Sequence, residues 1–591
     1  MNNFAGCLVF HCAVIGLLNP AIAQIDSLRS RDLGREEMDQ LMEQAAPVED
    51  SPLPDLLSQE TERSGSTLSI RSRILQLLQR AAGFTSGAYH GSPVKSYQRI
   101  RVNAGEHLSA GILFEKDAGE VRYDDFTAGN ITISGAGPVR KLVLGDFLVE
   151  AGEGMALWRG VDLSKGADII SPVQRNERGL IQYLSSDEHN YFSGLAAEFE
   201  TGILATGVFV SSRSLSASID SNNRVTGFST SGYFRTDAEN KKRDDVQERL
   251  FGWRSAVSFA GGQRVGIAAY TTGFSRRIHL QGATRFEGDE YSLAALNYAF
   301  KFLSVSAFGE WALGNGAAGG ISGFVLQPAS IVRVIASLRH YPSNFVSLHG
   351  LGFGERFPNE DGLYVGLHMK LSRRMSLDSY YDQYRFPAPV PGMNFPSVGS
   401  DLFLRLEILP EPQLKVHIRF QRKVSDGKGE NEEGLLPLRS IDEQIVRRLR
   451  LDVGYELTHG ANVRTKFERV DLGFENSPRN EKGLMMCQEI ALTPADRLRL
   501  DCSLAFFRSD SYDSRIYATE KDLDGVLAVP ALYGRGVRWY ILLSYQLSDR
   551  CECSAKYSDL LRDDVKRIGT GLDGLPGNHD NRISLQIDLG F

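Results

Sequence analysis

The last eleven residues, NRISLQIDLGF, alternate without exception: Ile583, Leu585, Ile587, Leu589 and Phe591 share one face, and Arg582, Ser584, Gln586 and Asp588 share the other. Successive side chains of a strand point to opposite faces, so this is a strand with one wholly apolar and one wholly polar side. Such a strand fits between lipid and a wet lumen. The pattern recurs along the chain. Val537, Trp539, Ile541, Leu543, Tyr545 and Leu547 alternate with Arg538, Tyr540, Leu542, Ser544 and Gln546. Leu402, Leu404, Leu406 and Ile408 oppose Phe403, Arg405 and Glu407. After Pro410-Glu411-Pro412, Leu414, Val416, Ile418 and Phe420 oppose Lys415, His417, Arg419 and Gln421, completing an amphipathic hairpin. Leu449, Leu451, Val453 and Tyr455 likewise oppose Arg448, Arg450, Asp452 and Gly454. A soluble sandwich would not set charges inside strand after strand.

The connections point the same way. Counted back from the C-terminus, residues 563–580, 509–534, 424–442 and 385–398 are long, whereas 548–550, 493–496, 409–413 and 372–374 are short. Alternating long and short connections are the mark of an up-and-down meander with long outer loops and short periplasmic turns. The expected fold is therefore all-β: a transmembrane antiparallel up-and-down β-barrel of about 22–26 strands, with a short N-terminal helix or tail. Roughly 23 strands are recognisable between about residues 95 and 591, and because an even number is expected, at least one assignment must be wrong. Alternation lapses over residues 145–182 and 211–248, where large outer loops or inserted elements are expected.

The 591 residues fit a single closed sheet, and 59 Gly, 21 Tyr and 31 Phe beside 24% charged residues describe an aromatic-rich chain that is not hydrophobic overall. Beyond the first residues there is no run of about 20 apolar residues, so no helix can cross a bilayer. The net charge of -7 is dispersed, which gives nucleic acid no basic face to bind.

Residues 1–23 have the form of a cleaved signal peptide, with an apolar run from Cys12 to Leu18 and the small-x-small end Ala21-Ile22-Ala23. Residues 24–63 are polar, acidic and proline-bearing, as suits a periplasmic tail without fixed structure. Residues 64–90 are expected to hold a short amphipathic helix over LSIRSRILQLLQR (68–80), with Ile70, Ile74, Leu75, Leu77 and Leu78 largely on one side. Residues 91–591 are assigned to the barrel. The location expected is the outer membrane of a Gram-negative bacterium. The partners are outer-membrane lipids, the barrel-assembly machinery and a periplasmic protein engaged through residues 24–90. The terminal Phe591, with Leu589, is similar to the signal by which such barrels are recognised for assembly.

Several segments carry a resemblance: GSPVKSYQRIRV from Gly91, LSAGILFEKDAGE from Leu108, KLVLGDFLVEAGEGMALWRG from Lys141, KGADIISPVQRNERGLIQYLSSDEHNYFSGLAAEF from Lys165, and SGYFRTDAENKKRDDVQERLFGW from Ser231. Over residues 91–259 the chain resembles large outer-membrane barrels known as helix-hairpin-helix domain-containing proteins. The resemblance implies a barrel, an outer-membrane location and a DNA- or protein-translocation role as an alternative function. Residues 67–87 depart from it, having only Gly83 where such proteins carry a glycine-containing hairpin, so the module is degenerate or lost.

Motifs for chemistry are few. Gly314-Asn315-Gly316-Ala317-Ala318-Gly319 matches the dinucleotide fingerprint in letters, but strands flank it on both sides, so a hairpin loop is expected. Cys487 and Cys502 lie on neighbouring strands but on opposite faces, which precludes a disulfide. Cys551 and Cys553 share an apolar face with Ala555 and Tyr557. No HExxH or GxSxG occurs. No catalytic residue, cofactor or metal site is expected. The lumen lining is expected to include Arg405, Glu407, Lys415, His417, Arg419, Arg448, Arg450 and Asp452, whose mixed signs favour mutual pairing over ion selection. The leading expectation is a nonenzymatic barrel, acting as a passive channel or a protein-interaction platform. An outer-membrane hydrolase is the alternative from another class and would need polar residues clustered at one rim. A TonB-dependent transporter is disfavoured, since about 70 residues precede the first expected strand, too few for the usual globular plug. Residues 385–398, RFPAPVPGMNFPSV, are the loop singled out for folding inward to close the lumen.

Overall fold

The computed structural model describes residues 66–158, 165–280, 286–390, 395–431, 439–458 and 460–591. The expected signal peptide, residues 1–23, and the expected tail, residues 24–63, lie outside the described residues. One sheet contains 27 strands; three of these, Gly179–Gln182, Ala217–Ile219 and Val225–Phe228, are short rungs on long loops, and the remaining 24 form an antiparallel meander closed into a barrel. Closure is made by the first strand, Thr67–Leu77, against the last, His579–Gly590, in a register running from Ser69↔Gly590 to Leu77↔Arg582. No strand is left with an unpaired edge in the barrel wall, which is the condition for crossing hydrocarbon with strands.

The faces fall as alternation demands. In the last strand Ile583, Leu585 and Ile587 are 39%, 41% and 47% exposed on the outside, whereas Ser584 and Gln586 are 5% and 2% exposed on the inside. Apolar residues therefore meet lipid, and the polar set meets the lumen. The start of the first strand, the C-terminus and most of the short turns lie at one end, the periplasmic one, and the long loops lie at the other. The exception is instructive: Asn315 and Gly316, at φ 49° and 80°, join Val305–Gly314 to Ala317–Ala329 by a two-residue turn on the loop side. Asn-Gly accepts positive φ at both positions, which matches the twist of the flanking strands. The glycine-rich hexapeptide is thus a hairpin tip.

Three expectations are corrected. Residues 68–80 do not form a helix: Thr67–Leu77 is a strand, and the only helix described in this stretch is the four-residue Ala82–Thr85. The apolar residues at 70, 74 and 78 fit either period, and two open sheet edges to be paired outweigh a weak helical preference. The barrel accordingly begins at Thr67 instead of residue 91, and this strand makes the number even. Residues 424–442 are not chiefly a loop, because Leu414–Asn431 and Arg439–Thr458 stay in register as far as Lys428↔Ile441 and pair again, after a shift, at Asn431↔Arg439. The cysteines lie as expected: Cys487 faces Ala505 and Cys502 faces Ile490 across the same strand pair, and the four described cysteines are free.

Candidate functional site

The lumen is occupied by the chain's own outer loops. The first leaves the strand Val139–Glu150, and its described residues, 151–158 and 165–178, lie inward. On the wall, Glu310 is fully buried and accepts the amides of Met155 and Ala156 at 3.0 and 3.2 Å. A second loop, residues 342–359, packs over it. Trp158 N donates to His349 O at 2.9 Å, Leu351 N to Gly154 O at 2.7 Å, and Ser347 Oγ to Met155 O at 2.7 Å. A side chain at Gly350 would place its Cβ 2.2 Å from Met155 O, so glycine is what lets the two loops touch backbone to backbone. Lumen-facing tyrosines hold the pair. Tyr364 donates to Ile169 O at 3.0 Å, Tyr291 donates to Val346 O, and Tyr270 accepts Leu348 N at 3.1 Å.

Charge fixes the same loops. Lys165 pairs with Glu355 of the second loop and with the wall residue Asp382 at 2.8 Å, while Asp401 stands at 3.8 Å. Burial alone would lower its ammonium pKa; Asp382, Glu355 and Asp401 overcome this and raise it, so the cation persists. Lys423 reaches Glu355 at 2.9 Å. Arg339, with no side-chain exposure, spans Glu360 at 2.6 Å and Asp382 at 2.8 Å.

A third loop, residues 510–534, fills the opposite part of the lumen. Ile516, Tyr517, Leu523, Val529 and Leu532 are buried. Glu520 meets Arg538 at 2.7 Å and Lys556 at 3.3 Å, Asp522 meets Lys556 at 2.7 Å, and Asp524 pairs with Arg71 of the first strand. Burial would raise the Glu520 carboxyl, but the two cations hold it at about 2. It is an ionised latch at any physiological pH.

Glu153 behaves oppositely. It is buried and accepts Arg175 N at 2.7 Å, but burial, reinforced by Glu310, pushes its carboxyl up to about 8. The docked loop therefore holds a proton that an exposed glutamate would release near its ordinary pKa of about 4.3. Docking is fully favoured below that value and weakens as pH rises through 8. Proteolysis at this loop is expected to speed up between pH 6 and pH 8.5, and Glu153→Gln should flatten the dependence.

The residues picked from sequence divide by depth. Arg405 pairs with Asp378 at 3.3 Å, and Lys415 and His417 meet Glu407 at 3.4 and 2.8 Å. Glu407, Lys415 and His417 remain partly exposed near the periplasmic turn. Deeper in, Arg419 and Arg450 converge on Glu468, and Arg450 also donates to Tyr517 O of the third loop at 3.1 Å. Arg448 is buried in the same region, and Asp452 pairs with Arg464 at 2.6 Å. Sequence reasoning missed the loop-side partners because they lie in stretches without alternation. The described part of the loop at 385–398 packs Val390 on Tyr384 and Phe386, and Ala388 exchanges hydrogen bonds of 3.0 and 2.9 Å with Asn359 of the second loop. Leu589 and Phe591 lie at the seam, where Leu68 and Phe591 exchange backbone hydrogen bonds of 3.0 and 2.9 Å.

At the outer mouth Glu115, Asp117 and Glu188 converge closely enough to ligate a cation. Lys95 stands 2.6 Å from both Glu115 and Asp117, so an ammonium already supplies the positive charge there.

No protein-family model and no curated protein matches the sequence. Among solved structures, the chain is similar to the siderophore receptor PirA from Acinetobacter baumannii at 8% identity, TM-score 0.42, covering 90% of this chain and 81% of that one. It is similar to the copper transporter OprC at 9% identity, TM-score 0.45, with 90% and 82% covered. A variant of the ferric enterobactin receptor PfeA from Pseudomonas aeruginosa gives 10% identity, TM-score 0.44 and the same coverage. The resemblance to helix-hairpin-helix proteins is corrected by the structure: residues 67–77, at the place of the supposed module, are a barrel strand. The chain is a closed antiparallel β-barrel of 24 strands with an apolar outer face.

Proposed function

We propose that the protein is a pore held shut at rest by its own outer loops and opened by a solute that displaces them. The observation that carries this reading is the set of buried ion pairs between loop and wall: Lys165 with Asp382, and Glu520 with Arg538 and Lys556. Latches made of charge are the kind a charged solute can exchange for its own groups. Below the plugs, Glu407, Lys415 and His417 border a partly exposed periplasmic vestibule through which a released solute would leave. In the same reading Leu589 and Phe591, at the seam, are presented to the assembly machinery.

The test is conductance in planar bilayers. The native protein is expected to be closed for most of the record. Glu520→Gln takes the paired carboxylate from buried Arg538 and one of two from Lys556, a loss on the order of 3–5 kcal/mol, and should raise the open fraction by at least about tenfold. Retained heat-modifiability on gels would show that the barrel itself is intact. A native protein that conducts steadily, or a folded Glu520→Gln variant as silent as the native one, would reject the gated pore and favour the scaffold.

A further inference from the structure

Among the described residues, three grooves of similar size indent the outer wall, and one of the three is bordered by three arginines. Its volume is about 670 Å³, and its floor includes Leu451, Phe467, Leu484, Met486, Phe506 and Val537. Arg469, Arg508 and Arg535 border it, three cations against the two carboxylates, Glu468 and Asp563, of its lining. Their register is direct: Arg469 faces Leu484, Leu484 faces Arg508, and Arg508 faces Arg535 across four consecutive wall strands. Like charges placed directly opposite each other are destabilising unless an anion lies between them. Asp471 stands 2.7 Å from Arg469 and Asp563 stands 2.7 Å from Arg535, but among the described residues Arg508 has no carboxylate. One of the other grooves is lined by both Arg249 and Glu290, and the third has no charged lining residue.

Depth adds the second half of the argument. Arg508 and Arg535 lie at the loop-side ends of Leu498–Ser509 and Arg535–Ser548, the level of the outer-leaflet headgroups, and the apolar floor runs from there towards the hydrocarbon. We infer that this groove binds an outer-leaflet lipid with a phosphate-bearing headgroup, its phosphate between Arg508 and Arg535 and an acyl chain along Phe506, Met486 and Phe467. Guanidinium forks suit phosphate oxygens in geometry as well as in charge. The site is separate from the lumen and does not depend on whether the pore is gated.

The full-length barrel in detergent would be presented with dilauroyl phosphatidic acid or dilauroyl phosphatidylcholine, and retained lipid counted by native mass spectrometry. The acid is expected to be retained at least about tenfold more tightly, a preference abolished in the Arg508→Gln/Arg535→Gln double variant. Both side chains are exposed, so the fold survives the change, which heat-modifiability on gels confirms. Equal retention of the two lipids, or an unchanged preference in the folded double variant, would overturn the inference. Displacement of the acid by millimolar inorganic phosphate alone would also overturn it, because the groove would then be an anion site without a role for the chain.

Discussion

A chain shortened to begin at residue 91 is expected to yield no closed barrel, although alternation read along the sequence places the first strand near there. Removing Thr67–Leu77 exposes His579–Gly590 on one side and Val94–Ala104 on the other, two full-length edges with no protein partner. Each unsatisfied backbone group in hydrocarbon costs several kcal/mol, so the loss far exceeds the stability of any barrel. The cut also unpairs Asp588 and Asp524 from Arg71 and strips Gln586 of its 2.7 Å bond from Arg73. Refolding into lipid vesicles followed by protease treatment checks this. The full chain should leave a protected heat-modifiable core, and the shortened one should be digested. A protected core from the shortened chain would show that the seam can close elsewhere.

Arg339→Ala is expected to be among the most damaging single substitutions inside the lumen, costing about 3–5 kcal/mol in urea unfolding followed by tryptophan fluorescence. The guanidinium is the cation shared by Glu360 and Asp382, both wholly buried, and Lys165 touches only the second of these. Alanine would leave Glu360 charged and unmatched at the root of the loop at 342–359. Adding Glu360→Gln should recover a substantial part of the loss, because it removes the orphaned charge. A cost below about 1 kcal/mol, the range of exposed pairs, would mean that water reaches this network and that the loop is not docked as described.

The barrel was legible because its rule is local. In residues 581–591 every side chain announces its face, and the same holds for residues 402–408, 414–420 and 449–455. The first strand was not legible, because its identity rests on partners some five hundred positions away: Arg71 is explained by Asp588 and by Asp524, neither of which lies near it in the chain. Taken alone, Ile70, Ile74 and Leu78 read equally well at either period. The lumen-facing charges of the wall were found by parity, but their partners were not. Glu520 and Lys165 sit in segments whose conformation is set by the cavity they fill, and nothing in their spacing marks them. Gly350 shows the same blindness, since its need for a bare backbone arises from Met155, on another loop.

In the proposed gated pore, the loops that fill the lumen are attached to the wall at both ends. A segment displaced from the lumen stays within its own tether length, so its local concentration at the docking surface remains high however dilute the protein is. Closing is then a first-order event with no partner to find. Openings should end on their own as brief flickers, with lifetimes indifferent to protein concentration. A membrane built with such pores would need no soluble stopper kept in supply beneath it to preserve its barrier.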